Sequence, residues 1–246
     1  MTALRQRIRR FLILAFFLLL PVTLNYYSPA LMTEGTAKGI ATFSLFTWGA
    51  IFLSSLFLGR VFCGYGCPFN GLQMAWEHVT DKPTRQIRFL RWIKYVLWGA
   101  WVLPLILFVI SSGGWHRVDL LYRTERIVSV DSPGNLITYF LLVGITLLPT
   151  LHGKRGFCHY YCPFGVWGIV GARMGRWLGL PMLRLRGDPQ ACKACRKCEK
   201  ACPMSLPVTE LVLRTDAFHT ECTLCGSCVD TCPETAVRYI WDSEGN

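Results

Sequence analysis

The sequence predicts an all-α polytopic membrane domain, four transmembrane helices arranged as a duplicated helix hairpin, joined to a small cysteine-rich α+β domain. Three observations predict it. Hydrophobic residues make up 52% of the 246-residue chain and charged residues only 17%, which is greasier than a soluble domain of this length needs. A Phe-Cys-x-Tyr-x-Cys-Pro-Phe phrase occurs at 62–69 and again at 157–164, each time after a long apolar run. None of the twelve cysteines precedes Cys63, and eight of them follow Asp188.

The four spans are the stretches 11–32, 40–58, 95–115 and 136–151, none of which contains Asp, Glu, Lys or Arg. A bilayer-crossing helix needs about 20 apolar residues, so the fourth stretch must borrow neighbours. Pro21, Pro104 and Pro149 sit inside spans, where packing against other helices tolerates a kink.

Basic residues set the orientation. Arg5, Arg7, Arg9 and Arg10 precede the first span; Arg60, Lys82, Arg85, Arg88 and Arg91 follow the second; Lys154, Arg155, Arg173 and Arg176 follow the fourth. These belong on the cytoplasmic side, with both termini. The net charge of +11 is therefore a topology signal, and no nucleic-acid partner is expected. A competing reading takes residues 1–30 as a signal peptide, with Ser28-Pro29-Ala30 as its small-x-small site.

Aligning Cys63 with Cys158 also pairs Arg60 with Arg155, Tyr65 with Tyr160, Cys67 with Cys162, Pro68 with Pro163 and Phe69 with Phe164. Two hairpins repeated in the same orientation are related by an axis along the membrane normal, so both phrases meet one surface. Pro suits the first turn of a helix and disfavours continuing one, so each phrase forms an elbow into a surface helix, at 71–79 and 166–178. Cys63, Cys67, Cys158 and Cys162 can bind a metal or a third cluster, cycle as redox thiols, or pack as small hydrophobes.

From 188 to 246 the character changes. Cys192, Cys195, Cys198 and Cys202, and then Cys222, Cys225, Cys228 and Cys232, each follow C-x2-C-x2-C-x3-C-P, the spacing of bacterial-type two-cluster ferredoxins. In that spacing the fourth cysteine of each run reaches the other cluster. Cys192, Cys195, Cys198 and Cys232 are thus expected to hold one 4Fe-4S cluster, and Cys202, Cys222, Cys225 and Cys228 the second. Structural zinc usually draws on two separated Cys-x2-Cys pairs and fits threefold runs poorly. Lys193, Arg196, Lys197 and Lys200 surround the first run, whereas Glu221, Asp230 and Glu234 flank the second. Nearby cations favour the reduced state, so the first-run cluster is expected to have the higher potential.

The combination of "GRVFCGYGCPFN", "GFCHYYCPFG" and the two ferredoxin runs resembles the NapH/MauN-type membrane ferredoxin proteins, accessory to periplasmic nitrate reductase or methylamine dehydrogenase, over nearly the whole chain. The resemblance implies four membrane helices, the two Cys-x3-Cys-Pro motifs, a cytoplasmic tail with two 4Fe-4S clusters, and a role as a quinol dehydrogenase component. A membrane quinol is then the substrate, and the partners are the lipid bilayer and other iron-sulfur or cytochrome subunits of a redox chain. Quinol oxidation also needs a proton acceptor, for which Glu77, His78 and His159, close to the elbows, are the candidates. The alternative function is a maturation factor that supplies electrons for metal or cofactor assembly through the elbow thiols.

Overall fold

The computed structural model describes all residues except 1, 78, 80–81, 86, 88, 125–128, 130–132 and 244–246. The N-terminal part is helical, with helices α1 (Thr2–Leu18), α2 (Leu20–Thr23), α3 (Pro29–Ala37), α4 (Phe43–Leu58), α5 (Val61–Tyr65), α6 (Pro68–Trp76), α7 (Arg91–Ser111), α8 (Pro133–Leu147) and α9 (Phe164–Trp177). Local chemistry sets several of these ends. Ser28 Oγ accepts a hydrogen bond from the Leu31 amide while Pro29 occupies the first turn of α3, and Pro68 opens α6 in the same position.

By length and composition one described helix, Arg91–Ser111, is long and apolar enough to cross a membrane. A second crossing is counted if Leu4–Leu18 and Leu20–Tyr27, bent by 57° at Leu19, act as one span. Phe43–Leu58 and Leu136–Leu147 are apolar but shorter. The expected second span loses its first residues because Ile40–Thr42 is a strand, β1, paired in parallel with β2 (Arg117–Asp119). The fourth gives way to a 3-10 turn, Leu148–His152, at Pro149. The β1–β2 pair ties the loops before α4 and after α7 together, and the ion pairs of Glu34 with Lys38 and Arg123 lie in the same loops.

The helices after the two elbows begin earlier than expected, at Pro68 and Phe164, and each buries one face inside the protein while Arg173, Met174 and Trp177 of α9 stay exposed. Phe69, Asn70, Gly71, Gln73 and Met74 of α6 are buried, as are Gly165, Val166, Gly168, Ile169, Gly171 and Gly175 of α9. The small residues are the cause. A Cβ at Gly171 would sit 1.7 Å from Ser55 Oγ and one at Gly175 would sit 2.1 Å from the Leu56 carbonyl oxygen, so α9 lies directly against α4. Gly71 brings α6 against Ile13 and Phe17 of α1 in the same way.

The C-terminal part holds α10 (Lys197–Lys200), α11 (Val208–Leu213), α12 (Ser227–Thr231) and an antiparallel pair, β3 (Met182–Gly187) with β4 (Val237–Asp242), in register from Met182↔Asp242 to Gly187↔Val237. One strand of this sheet precedes the domain boundary expected at 187/188. Its core joins Leu185, Met204, Leu206, Val208, Val212, Leu224 and Val237 to buried cysteines, including Cys158 from the second elbow.

Candidate functional site

Three cavities are each lined by four cysteines. One is lined by Cys192, Cys195, Cys198 and Cys232, a second by Cys202, Cys222, Cys225 and Cys228, and a third by Cys63, Cys67, Cys158 and Cys162. The first two sets interleave the two runs, as the spacing requires.

The backbone repeats around the first two. Ala194 and Arg196 in the first run, and Leu224 and Gly226 in the second, all have φ between 50° and 77°, as do Ser205 and Thr235 beyond each Cys-Pro. Left-handed residues alternating with ordinary ones turn successive amide N–H groups inward, making a concavity suited to an anion. Gly226 has a second reason to be glycine, because a Cβ there would lie 2.7 Å from Tyr239 Oη. Burial pushes the Cys202 thiol up to about 11 and the Cys222 thiol up to about 12, and it raises Cys198 and Cys228 as well. Without metal these thiols are protonated, and metal binding releases their protons. Among the described residues no group of three or more His, Cys, Asp or Glu is set to hold a single metal ion. Four thiols spread around a cavity suit a multi-atom cluster rather than one tetrahedral ion.

The elbow cavity is aromatic, with Tyr27, Trp48, Phe62, Phe69 and Phe164 completing its wall. Phe69 and Phe164, equivalent in the repeat, stack at 5.8 Å, and Phe164 stacks on Trp48 at 4.7 Å. Gln73 donates from Nε2 to Cys158 Sγ at 2.8 Å, and Asn70 donates from Nδ2 to the Cys63 carbonyl oxygen at 2.7 Å. Arg60 lines the same cavity, and its Nε is buried without a partner among the described residues. An unpaired donor on a cationic side chain beside four thiols fits an anionic occupant.

The elbows touch the second ferredoxin run. A Cβ at Gly64 would lie 2.4 Å from the Thr223 carbonyl oxygen, and Tyr65 Oη donates to the Cys225 carbonyl oxygen at 3.4 Å. Arg60 Nη1 donates to Glu221 Oε2 at 2.9 Å, and Lys94 pairs with Oε1 of the same carboxylate; all three side chains are at most 3% exposed. Burial opposes the Glu221 charge, but Arg60 and Lys94 hold its carboxyl down to about 2. On another side Arg5 pairs with Asp230 and stacks over Tyr239, while Gln6 Nε2 donates to the Cys225 carbonyl oxygen at 3.1 Å.

The expected proton acceptors fare differently. Glu77 receives Arg155 Nε at 2.5 Å. His159 is 1% exposed, accepts Arg91 Nε at Nε2 (3.1 Å), and is pushed down to about 4 by burial, against the pull of Glu221. His78 lies outside the described residues. Sequence reasoning missed Gln73, Lys94 and the structural part of Glu221 and Arg5; an amide within a greasy post-elbow helix was the available signal for Gln73.

A family profile described as a 4Fe-4S binding domain matches residues 40–83 and 135–181, the two elbow halves, and one described as a 4Fe-4S dicluster domain matches 191–237. These matches give the chain 4Fe-4S binding and dicluster domains over three segments, and it resembles ferredoxin-type proteins. It is similar to YccM of Escherichia coli (29% identical, covering 75% of this chain and 52% of YccM), to RdxA of Cereibacter sphaeroides (26%; 76% and 43%), and to the methylamine utilization ferredoxin-type protein MauN of Methylobacillus flagellatus (26%; 65% and 55%). The chain thus spans about half the length of these relatives. No solved structure matches it.

Proposed function

We propose that this ferredoxin-type chain is a multi-pass protein of the bacterial cytoplasmic membrane that oxidises quinol and passes the electrons, one at a time, to a partner reductase or redox chain. The four-cysteine lining of three cavities carries the reading, with Cys158, Cys198, Cys202 and Cys228, drawn from all three linings, packed in one buried cluster. Cys192, Cys195, Cys198 and Cys232 hold one 4Fe-4S cluster, Cys202, Cys222, Cys225 and Cys228 a second, and Cys63, Cys67, Cys158 and Cys162 a third. Such clusters supply reversible one-electron chemistry. The match of the elbow halves to a 4Fe-4S binding domain favours a cluster there over dithiol cycling.

The chain's own residues give this wire two different ends. Tyr27, Trp48 and Phe164 place the elbow cavity among the apolar helices, where a lipid-soluble reductant is at hand. Gly64 and Tyr65 set that cavity's wall against the second run, and the exchanged cysteines Cys202 and Cys232 join the second run to the first. Four spans with the ferredoxin part on the cytoplasmic side agree with the clustering of basic residues at the elbow end. Of the candidate acceptors for the two protons released by quinol, Glu77 holds Arg155 at Oε1 and His159 holds Arg91 at Nε2, so proton uptake at either competes with its arginine.

Iron and sulfide analysis of anaerobically purified protein tests the reading. About twelve irons per chain are expected, from three cubanes of four irons each; about eight, with the elbow thiols open to alkylation, would remove the third cluster. Quinol-dependent bleaching of the clusters tests the donor.

A further inference from the structure

We propose that the rim around Cys195 is the port at which electrons leave the protein, and that it docks a soluble one-electron carrier through an acidic face. The proposal rests on the cluster assignment above. Of the twelve cysteines only Cys195 is exposed. Three cysteines are buried in each of the other two sets, Cys67, Cys158 and Cys162 at the elbows and Cys202, Cys225 and Cys228 around the second run, whereas Cys198 alone is buried in the first. Electron transfer to a soluble partner needs close approach, and the first set is the most open to it.

The charges on the two runs have different fates. Two of the three acids flanking the second run are paired away from this rim, Glu221 with Arg60 and Lys94 and Asp230 with Arg5, while Glu234 lines the first-run cavity. The cations of the first run stay outside: Lys193, Arg196, Lys197 and Lys200 are exposed, and the first three line the cavity with its cysteines. Lys193 pairs with Glu234 at 2.7 Å. Arg196, Lys197 and Lys200 have no ion-pair partner among the described residues. Arg196 adopts φ 57°, which places a left-handed residue at the mouth between Cys195 and Cys198. A cationic collar around the one accessible thiol selects an anionic surface and speeds its encounter. In the step itself the cluster behind Cys195 is oxidised by one electron and the carrier is reduced by one; no proton or atom is exchanged.

The test uses the whole protein in detergent, reduced with dithionite and freed of excess. Stopped-flow oxidation is followed with two probes of opposite sign, tris(oxalato)cobaltate(III) and hexaamminecobalt(III), and with an acidic high-potential cytochrome c as the protein-sized acceptor. Reversing the collar (Arg196→Glu, Lys197→Glu, Lys200→Glu) is expected to slow the cobaltate anion and the cytochrome about tenfold at low salt, with the ammine cation unchanged or faster and the differences gone at high salt. The milder pair Lys197→Gln and Lys200→Gln serves if the reversal loses iron, and a smaller fall in the same direction is expected. Iron-loaded variants that oxidise at wild-type rates with all three acceptors overturn the port. Wild-type protein without iron overturns the cluster assignment instead, so the two failures are distinct.

Discussion

Arg60 and Arg155 occupy equivalent places in the two halves of the repeat, and each reaches across to the post-elbow helix of the other half. Arg155 donates to Asn70 and Glu77 of α6. Arg60 runs over Gly165 and Gly168 of α9, the positions equivalent to Asn70 and Gln73: a Cβ at either glycine would lie within 2.9 Å of its side chain. The backbone is symmetric while the chemistry is not. Where α6 supplies an amide and a carboxylate that hold the arginine in place, α9 supplies empty space, and Arg60 passes through it to Glu221 of the ferredoxin part.

That ion pair gives the first prediction. Glu221→Gln leaves Arg60 and Lys94 buried and uncompensated, and breaking a buried pair typically destabilises by about 3–5 kcal/mol. Replacing all three by Met is expected to be milder than the single change, because no charge is then left buried. Thermal unfolding in detergent, monitored by circular dichroism, gives the order; a single variant more stable than the triple one would contradict the role of the pair.

How far the sequence reveals this depends on the range of each interaction. The grouping of cysteines around two cavities is within reach of the sequence because thiol spacing along the chain is itself the geometry that would grip the proposed clusters. The repeat was legible through Arg60 and Arg155, but their partners were not, since Glu221 lies 161 residues from Arg60. Arg5 looked like a topology marker, and its pairing with Asp230 spans 225 residues. The post-elbow helices were expected on the surface because Pro68 and Pro163 turn the chain out of the preceding helix, and the close packing that their glycines allow against α1 and α4 has no hydropathy signal. The span limits shifted at Ile40 because Ile40-Ala41-Thr42 is too short a stretch for periodicity to tell a strand from a helix.

Gly64→Ala tests the contact between elbow and ferredoxin part. The new methyl would face backbone, the Thr223 carbonyl oxygen, at 2.4 Å, so the two segments must move apart. A loss of about 1–3 kcal/mol is expected, as for overpacking in general, together with faster proteolytic release of the C-terminal part. Gly99→Ala is the control, since nothing lies within 4 Å of its Cβ position and it sits inside α7. Equal proteolysis of the two variants would mean that Gly64 is not a close contact.

Arg5→Ala removes the pair with Asp230 and the stacking on Tyr239. The Arg5 side chain is 32% exposed, so solvent screens the pair, and roughly 1 kcal/mol of loss is expected, shrinking as salt is added. Hydrogen exchange of the amides from Cys225 to Asp230 reports it, because Gln6 and Arg5 cover that turn. Unchanged exchange there would show that α1 does not brace the second run.

The interleaving of the two runs makes the sharpest prediction. Cys202 belongs by position to the first run, but it lines the cavity of Cys222, Cys225 and Cys228, and Cys232 does the converse. Cys202→Ser is therefore expected to alter the EPR signal of the second-run cluster and leave that of the first run, whereas Cys198→Ser does the opposite. A neutralising change at Arg196 identifies which signal is which, because that residue lines only the cavity of Cys192, Cys195, Cys198 and Cys232; losing the collar's charge lowers the potential of that cluster and spares the other. If Cys202→Ser and Cys198→Ser remove the same signal, each run holds its own cluster and the crossed assignment fails.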